Sequence, residues 1–261
     1  MLQKTQLRQR KVMNASTINK EEVARFAAMA EEWWDPKGKF KPLHKFNPTR
    51  LAYIRSQILS HFELDGSKNQ PLKKLSILDI GCGGGLLCEP MARLGAKITG
   101  VDASEKNIAI AKSHAITSDL KINYKTTTSE DLVKKTARYD VVLNMEVVEH
   151  VDNVPLYLES CAELVKPGGI MIISTLNRTA KSFALAIIGA EYILNWLPKG
   201  THSYNKFLTP NELISMLKRY DMILKDKSGV SFLPLKNQWR LSKDVDVNYM
   251  LVMEKQALLA Q

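Results

Sequence analysis

Two stretches of this chain bring chemically capable groups together at short spacing. The first, Leu75 to Ser104, reads LSILDIGCGGGLLCEPMARLGAKITGVDAS. An apolar run carries Asp79 near its end, glycines follow at Gly81, Gly83 and Gly85, and a second acid, Asp102, closes the next apolar run. Glycines after a strand let the backbone turn tightly and let a ligand approach main-chain atoms. A dinucleotide fingerprint wants glycine where Leu86 stands, and its loop presents amides to an anionic pyrophosphate. Asp79 would repel such a diphosphate and favour a cation. S-adenosylmethionine offers that cation, with an ammonium, a sulfonium and no phosphate. Asp102 is placed to accept both ribose hydroxyls, a role that fits either ligand.

The second stretch is Asn144-Met145-Glu146-Val147-Val148-Glu149-His150. If a helical turn begins here, Glu146, Glu149 and His150 fall at i, i+3 and i+4 and share a face. Two carboxylates and an imidazole suit a divalent cation such as Mg²⁺, which would hold a phenolic oxygen and lower its pKa. The same residues also suit proton transfer without a metal, His150 as general base and Glu149 as its orienter. Capping and salt bridging are the purely structural alternative. Met145 is read as lining an adenosine pocket.

Both stretches must be held by a scaffold, and the flanking pattern supplies one. Apolar runs at Leu75 to Ile80, Lys97 to Val101, Lys121 to Tyr124, Tyr139 to Asn144 and Gly169 to Ser174 alternate with helical segments. One of those helices starts at a Ser104 cap. This alternation predicts an α/β fold, a largely parallel sheet with helices on both faces, and ligands bound beyond the carboxyl ends of the strands. Two helices precede it. One is expected over Glu21 to Trp34; the second is expected to open at Asn47-Pro48 and run to about Phe62, with KGKFKPLHKFNP as loop between them. Thr209-Pro210-Asn211-Glu212 reads as a capping box, and strands are expected near Met222 to Phe232 and Val245 to Met253. The organisation expected is a basic tail over residues 1–16 and a single domain over 17–261, with N-terminal helices at about 20–63 and an apolar insertion at about 178–208.

Composition narrows the class. At 261 residues and 45% hydrophobic content the chain can bury a substantial core. The longest apolar run, Phe183 to Trp196, is interrupted by Glu191 and Asn195, which argues against a membrane span. Cys82, Cys88 and Cys161 lack metal or disulfide spacing and suggest a reducing compartment. The net charge of +10 suits an anionic lipid surface as well as nucleic acid. The proline and aromatic-rich turn that grips a flipped base is absent, so nucleic acid is not expected as a partner. A nicotinamide oxidoreductase is disfavoured by Leu86 and Asp79; a noncatalytic lipid-binding module is the third class considered.

The D-I-G-C-G-G-G and V-D pair resembles the signature of class I S-adenosylmethionine-dependent methyltransferases. That resemblance implies a Rossmann-like seven-stranded sheet, mostly parallel with an antiparallel last strand. AEEWWDPKGKFKPLHKFNPTRLAYI, MEVVEHV, LVKPGG, STLNRT, GAEYILNWLPKGTH and VDVNYML extend the likeness from about Thr17 to about Met253. Together they resemble the ubiquinone-biosynthesis O-methyltransferase family. The resemblance implies methylation of a polyprenyl-hydroxyphenol and of a demethylubiquinol, with donor contacts at Arg50, Gly81, Asp102 and Met145. Arg50 suits a bidentate clamp on the donor's methionine carboxylate. Asp79, Gly83, Glu146, Glu149 and His150 complete the expected site. A polyprenylated substrate further implies an anionic membrane surface as partner, alongside other enzymes of ubiquinone biosynthesis. The expected location is the cytoplasmic face of the inner membrane, with the mitochondrial matrix face as the alternative. The apolar insertion reads equally as a lid packed onto the domain or as a membrane contact, and one helix can do both; the candidates are Phe183, Leu185, Ile187, Ile188, Tyr192, Ile193, Trp196 and Leu197, flanked by Arg178, Lys181 and Lys199.

Overall fold

In a computed structural model, residues 16–185, 203–233 and 236–257 are described. The apolar runs become β1 (Ser76–Ile80), β2 (Lys97–Asp102), β3 (Asn123–Thr126), β4 (Tyr139–Met145), β5 (Val165–Leu176), β6 (Met222–Leu233), β7 (Gln238–Ser242) and β8 (Asn248–Lys255). They form one sheet in the order β3-β2-β1-β4-β5-β8-β6-β7. The first five strands are parallel; β8 runs antiparallel to both β5 and β6, and β7 antiparallel to β6. The mostly parallel sheet with an antiparallel last strand is the expected architecture, with eight strands among the described residues where seven were expected. The additional strand is β7. Its sequence, QWRLS, lies at the sheet edge with no buried residue, so it carries little apolar periodicity to read. Its Trp239 nonetheless packs on Phe46 and Phe232 at ring distances of 4.9 and 5.3 Å.

Side-chain alternation along the strands divides the core in two. Ile77, Val141, Leu143, Ile170 and Ile172 face one layer, with Ile54 and Ile58 of α2 (Lys41–His61), Met91 of α3 (Cys88–Arg93) and Ile108 of α4 (Glu105–Thr117). Leu78, Ile80, Val142, Met171 and Ile173 face the other, with Leu158 and Cys161 of α6 (Val154–Glu163) and Leu213 and Leu217 of α7 (Pro210–Lys218). Between these, α5 (Ser129–Lys134) follows β3, and α1 (Lys20–Ala28) opens the described chain. Each fully buried aliphatic side chain contributes about 1.5–3 kcal/mol. A strand polar on one face would forfeit one layer.

Two helix boundaries differ from expectation. The helix expected over Glu21 to Trp34 is α1 followed by a 3₁₀ turn, Ala30–Glu32. The second helix starts at Lys41 with Pro42 in its first turn, and Pro48 lies inside it. Asn47 is therefore no cap: it is 8% exposed, and its Nδ2 donates to the Leu86 carbonyl at 3.0 Å. Burial of Phe46, Asn47 and Arg50 against the glycine loop outweighs the hydrogen bond that Pro48 cannot donate. The Ser104 cap and the Thr209–Glu212 capping box are present as expected.

Candidate active site

Parallel pairing aligns the strand ends. Ile80 lies beside Val101 of β2 and Asn144 of β4, so Gly81, Asp102 and Met145 emerge together at the carboxyl edge of the sheet. There the chain turns through Gly81, Gly83 and Gly85, with φ of +67°, +52° and +90°. At Gly83 a Cβ would fall inside the Trp33 indole, and at Gly85 it would strike the Tyr124 hydroxyl. Only glycine meets both demands of conformation and space.

Asp102 accepts from Gly83 N at 3.0 Å, Ser104 N at 2.7 Å and Asn107 Nδ2 at 3.3 Å, which fixes its carboxylate at the rim. Burial raises its pKa against those hydrogen bonds. Asp79 is 3% exposed and accepts from the Cys88 thiol at 3.2 Å. Burial pushes it up to about 7, opposed by that thiol and by Arg50, with Asp102 adding to the rise. Arg50, 3% exposed, donates to Asn47 Oδ1 and lies over the Phe46 ring at 4.9 Å. Burial lowers its pKa, and Glu146 and Asp79 supply the opposing negative charge. Its Nε has no hydrogen-bond partner among the described residues. A buried guanidinium with a spare donor between two acids suits a zwitterionic ligand end. The residues thus fit S-adenosylmethionine: a glycine cradle that Cβ atoms would fill, a carboxylate for the ribose and an acid for the ammonium.

The stretch 144–150 is not one helical turn. β4 ends at Met145, Glu146 adopts φ +59°, and a short 3₁₀ turn spans Val148–His150. The left-handed conformation costs a non-glycine residue about 1–3 kcal/mol and takes Glu146 off any shared helical face. The conformer is held by Glu146 N donating to Ser174 O at 3.0 Å and Ser174 Oγ donating to Glu146 Oε1 at 2.7 Å. Glu149 is 3% exposed; among the described residues neither carboxylate oxygen makes a hydrogen bond of good geometry, though the Thr175 hydroxyl and a backbone N–H lie close enough to favour its charged form. Burial first, then the Glu146 charge, raises its pKa well above the usual range. His150 pairs through Nδ1 not with Glu149, as the orienter reading expects, but with Glu22 of α1 at 3.0 Å. Burial works to raise the Glu22 pKa, but the His150 hydrogen bond and charge, with Arg25 and Lys206, hold it below the usual value. The donor types suit a hard divalent cation, but Glu149, buried and with its pKa raised, is not among the residues that line the cavity. Among the described residues no three His, Cys, Asp or Glu side chains surround a common point.

Sequence reasoning missed the segment that roofs the site. Trp33 stacks on Phe40 at 3.7 Å and donates to Asn107 Oδ1 at 3.0 Å. Trp34 donates to Gly84 O at 2.9 Å and stacks on His114 at 3.5 Å. The adjacent tryptophans were the available signal. Beneath them one cavity of about 910 Å³ is lined by Arg50, Asp79, Gly81, Asp102, Met145, Glu146 and His150, and continues to Leu176, Leu185, Val230 and Phe232. Charged and apolar side chains thus share one cavity.

The apolar insertion is described only at its margins. Ile187, Ile188, Tyr192, Ile193, Trp196, Leu197 and Lys199 lie outside the described residues, as does all but one residue of the expected tail over 1–16. Phe183 and Leu185 are 42% and 55% exposed. Arg178 is paired with Glu212, and Lys181 with Asp244 and Asp246, so neither is the unpaired flanking cation that lipid attraction would use. Among the described residues no helix is long and apolar enough to cross a membrane.

The pattern of a family described as a methyltransferase domain matches residues 44–222. The ubiquinone biosynthesis O-methyltransferase of Sinorhizobium medicae is 56% identical over 240 residues, 92% of this chain and 97% of that one. The enzyme of the same name from Brucella ovis is 54% identical over 242 residues, 93% and 98% of the two chains. Among solved structures, magnesium protoporphyrin IX methyltransferase from Synechocystis with bound S-adenosylmethionine superposes with a TM-score of 0.58 at 16% identity, over 93% of this chain and all of that one. An S-adenosylmethionine-dependent methyltransferase from Clostridium acetobutylicum gives a TM-score of 0.58 at 12% identity, over 90% and 99%. These two likenesses bear on the fold.

Proposed function

Because the chain belongs to the ubiquinone biosynthesis O-methyltransferase family, and is an S-adenosylmethionine-dependent O-methyltransferase, we propose that its acceptors are 2-polyprenyl-6-hydroxyphenol and 3-demethylubiquinol. The observation that carries this reading is the single cavity joining the Asp79–Asp102 donor end to an apolar acceptor end. S-adenosylmethionine supplies an electrophilic methyl group on sulfur. The protein aligns it: Asp102 and the glycine loop hold the nucleoside, while Asp79 and Arg50 hold the ammonium and carboxylate of the methionine part. Met145, 6% exposed at the end of β4, packs against the donor. The phenol must lose its proton before it attacks in line, and His150 is the group suited to take it. Where a divalent cation such as Mg²⁺ is bound, Glu146, Glu149 and His150 would hold it, and it would acidify the phenol. Glu146 would then exchange its Ser174 hydrogen bond for the cation, while His150 would ligate through Nε2 with Nδ1 still held by Glu22.

The exposed Phe183 and Leu185 at the start of the apolar insertion support contact with an anionic membrane, where a polyprenyl substrate resides. The deciding experiment is methyl transfer to a short-prenyl catechol with and without chelator. Turnover that chelator abolishes and Mg²⁺ restores, at unchanged donor affinity, supports the cation route. Full turnover after exhaustive chelation leaves His150 as base, and no methylation of the catechol refutes the acceptor assignment.

A further inference from the structure

The group that holds His150 comes from outside the 144–150 stretch. Glu22 Oε2 lies 3.0 Å from His150 Nδ1, with the two side chains 18% and 14% exposed. Phe26, one helical turn further on, sets its ring edge-to-face with the imidazole, the ring centres 5.2 Å apart. The start of α1 is tied to the loop that follows His150. Asn19 caps the helix by accepting from Glu22 N at 2.9 Å and donates through Nδ2 to Asp152 Oδ1 at 2.7 Å. Asp152 N donates to the Thr17 carbonyl at 3.0 Å, and Thr17 donates through N and Oγ1 to the buried Glu130 carboxylate at 3.1 and 2.7 Å. A lone surface ion pair would need none of this anchoring.

An imidazole that gives its Nδ1 proton to a carboxylate is left with Nε2 as its basic nitrogen, whether that nitrogen takes a proton or binds a cation. Resting on the assignment of His150 to the acceptor, we propose that Glu22 is a positioning residue that fixes His150 as the Nδ1–H tautomer. The same segment runs on into the Trp33-Trp34 roof over the glycine loop. Docking of α1 therefore covers the donor and sets the acceptor's base in one event. Glu22 acts through His150 and does not touch the methyl group.

The test compares Glu22→Ala and Glu22→Gln with wild type. Glu22→Ala should lower kcat by about 10- to 100-fold, the size usual for a group that orients a functional histidine. The phenol KM and the donor Kd should stay within about twofold. Glu22→Gln, whose carbonyl still accepts from Nδ1, should recover most of the loss. In a His150→Ala background, Glu22→Ala should cost nothing more, because the residue it acts through is gone. ¹⁵N spectra of the His150 ring should show protonated Nδ1 in wild type and a move toward protonated Nε2 in Glu22→Ala. Wild-type kcat in Glu22→Ala, an unaltered tautomer, or a loss that adds to that of His150→Ala would overturn the proposal. Wild-type kcat in His150→Ala alone would instead overturn the acceptor assignment beneath it.

Discussion

With the proposed role of Asp79 beside the donor's ammonium, donor binding should depend on pH, and the size of the effect follows from the residue's burial. Its pKa of about 7 in the free protein means that about half the molecules carry the carboxylate at pH 7 and roughly a tenth at pH 6. The donor's ammonium favours the ionised form, since a neutral acid beside a buried cation returns nothing for the lost hydration. Where only the ionised form binds, the apparent Kd rises about twofold at pH 7 and about tenfold at pH 6 relative to its plateau. A further pH unit down costs another factor of ten, about 1.4 kcal/mol. Above about pH 8 the free ammonium itself deprotonates, so affinity peaks between these limits. Calorimetric titration with S-adenosylhomocysteine, which keeps the ammonium, reads this directly. Near pH 6 the heat should vary with the buffer's ionisation enthalpy, revealing close to one proton released per ligand. Asp79→Asn should bind more weakly at pH 7.5, with little pH dependence between 5.5 and 7.5. Asp102, whose pKa burial also raises, persists in that variant and serves as the internal control. A flat profile for wild type, or the same slope in both proteins, would refute a role for Asp79 in the cation's field.

Asp102→Ala should weaken the donor by roughly 1.5–3 kcal/mol, about 10- to 150-fold, as charge-assisted ribose bonds are lost; undiminished affinity in a titration would remove it from the site. Gly85→Ala should lower Tm by several degrees, at about 2–4 °C per kcal/mol for a chain of this length, since a side chain there meets both a φ of +90° and the Tyr124 hydroxyl. A wild-type melting curve would show that the loop relaxes freely. Ile188→Glu with Trp196→Glu should reduce cosedimentation with anionic vesicles and turnover of a prenylated phenol at unchanged donor affinity. Cosedimentation equal to wild type would mean the segment does not anchor the protein.

What the sequence disclosed was what lies close together along it. The glycine loop, Asp79 and Asp102 are consecutive features of one βαβ unit, so spacing alone placed them, and the parallel sheet followed from the alternation of apolar runs. What stayed hidden depends on docking between distant segments. Glu22 and His150, or Trp33 and Gly83, meet only once α1 and the turn after it fold back over the sheet edge. The left-handed Glu146 is another such case. Its local sequence, NMEVVEH, is compatible with a helical turn, and only its pairing with Ser174 on β5 excludes one. The start of α2 was obscured because Pro42 read as loop punctuation and Asn47-Pro48 as the helix's cap and first residue, while burial against Leu86 keeps the helix running through Pro48.

The place of β8 sets a schedule for how this molecule can be made. It is the last of the described strands in chain order, yet it lies in the sheet's interior, between β5 and β6, with Tyr249 to Met253 fully or almost fully buried. On a ribosome, β5 would wait with an open edge while the β6–β7 hairpin emerged with no seat beside it. Neither could finish until residues 248–255 arrived to bridge them. Pairings that distant are slow to form, and an exposed apolar edge invites pairing with another chain meanwhile. The nascent protein should therefore call on chaperones late in synthesis, after its glycine loop has already taken shape.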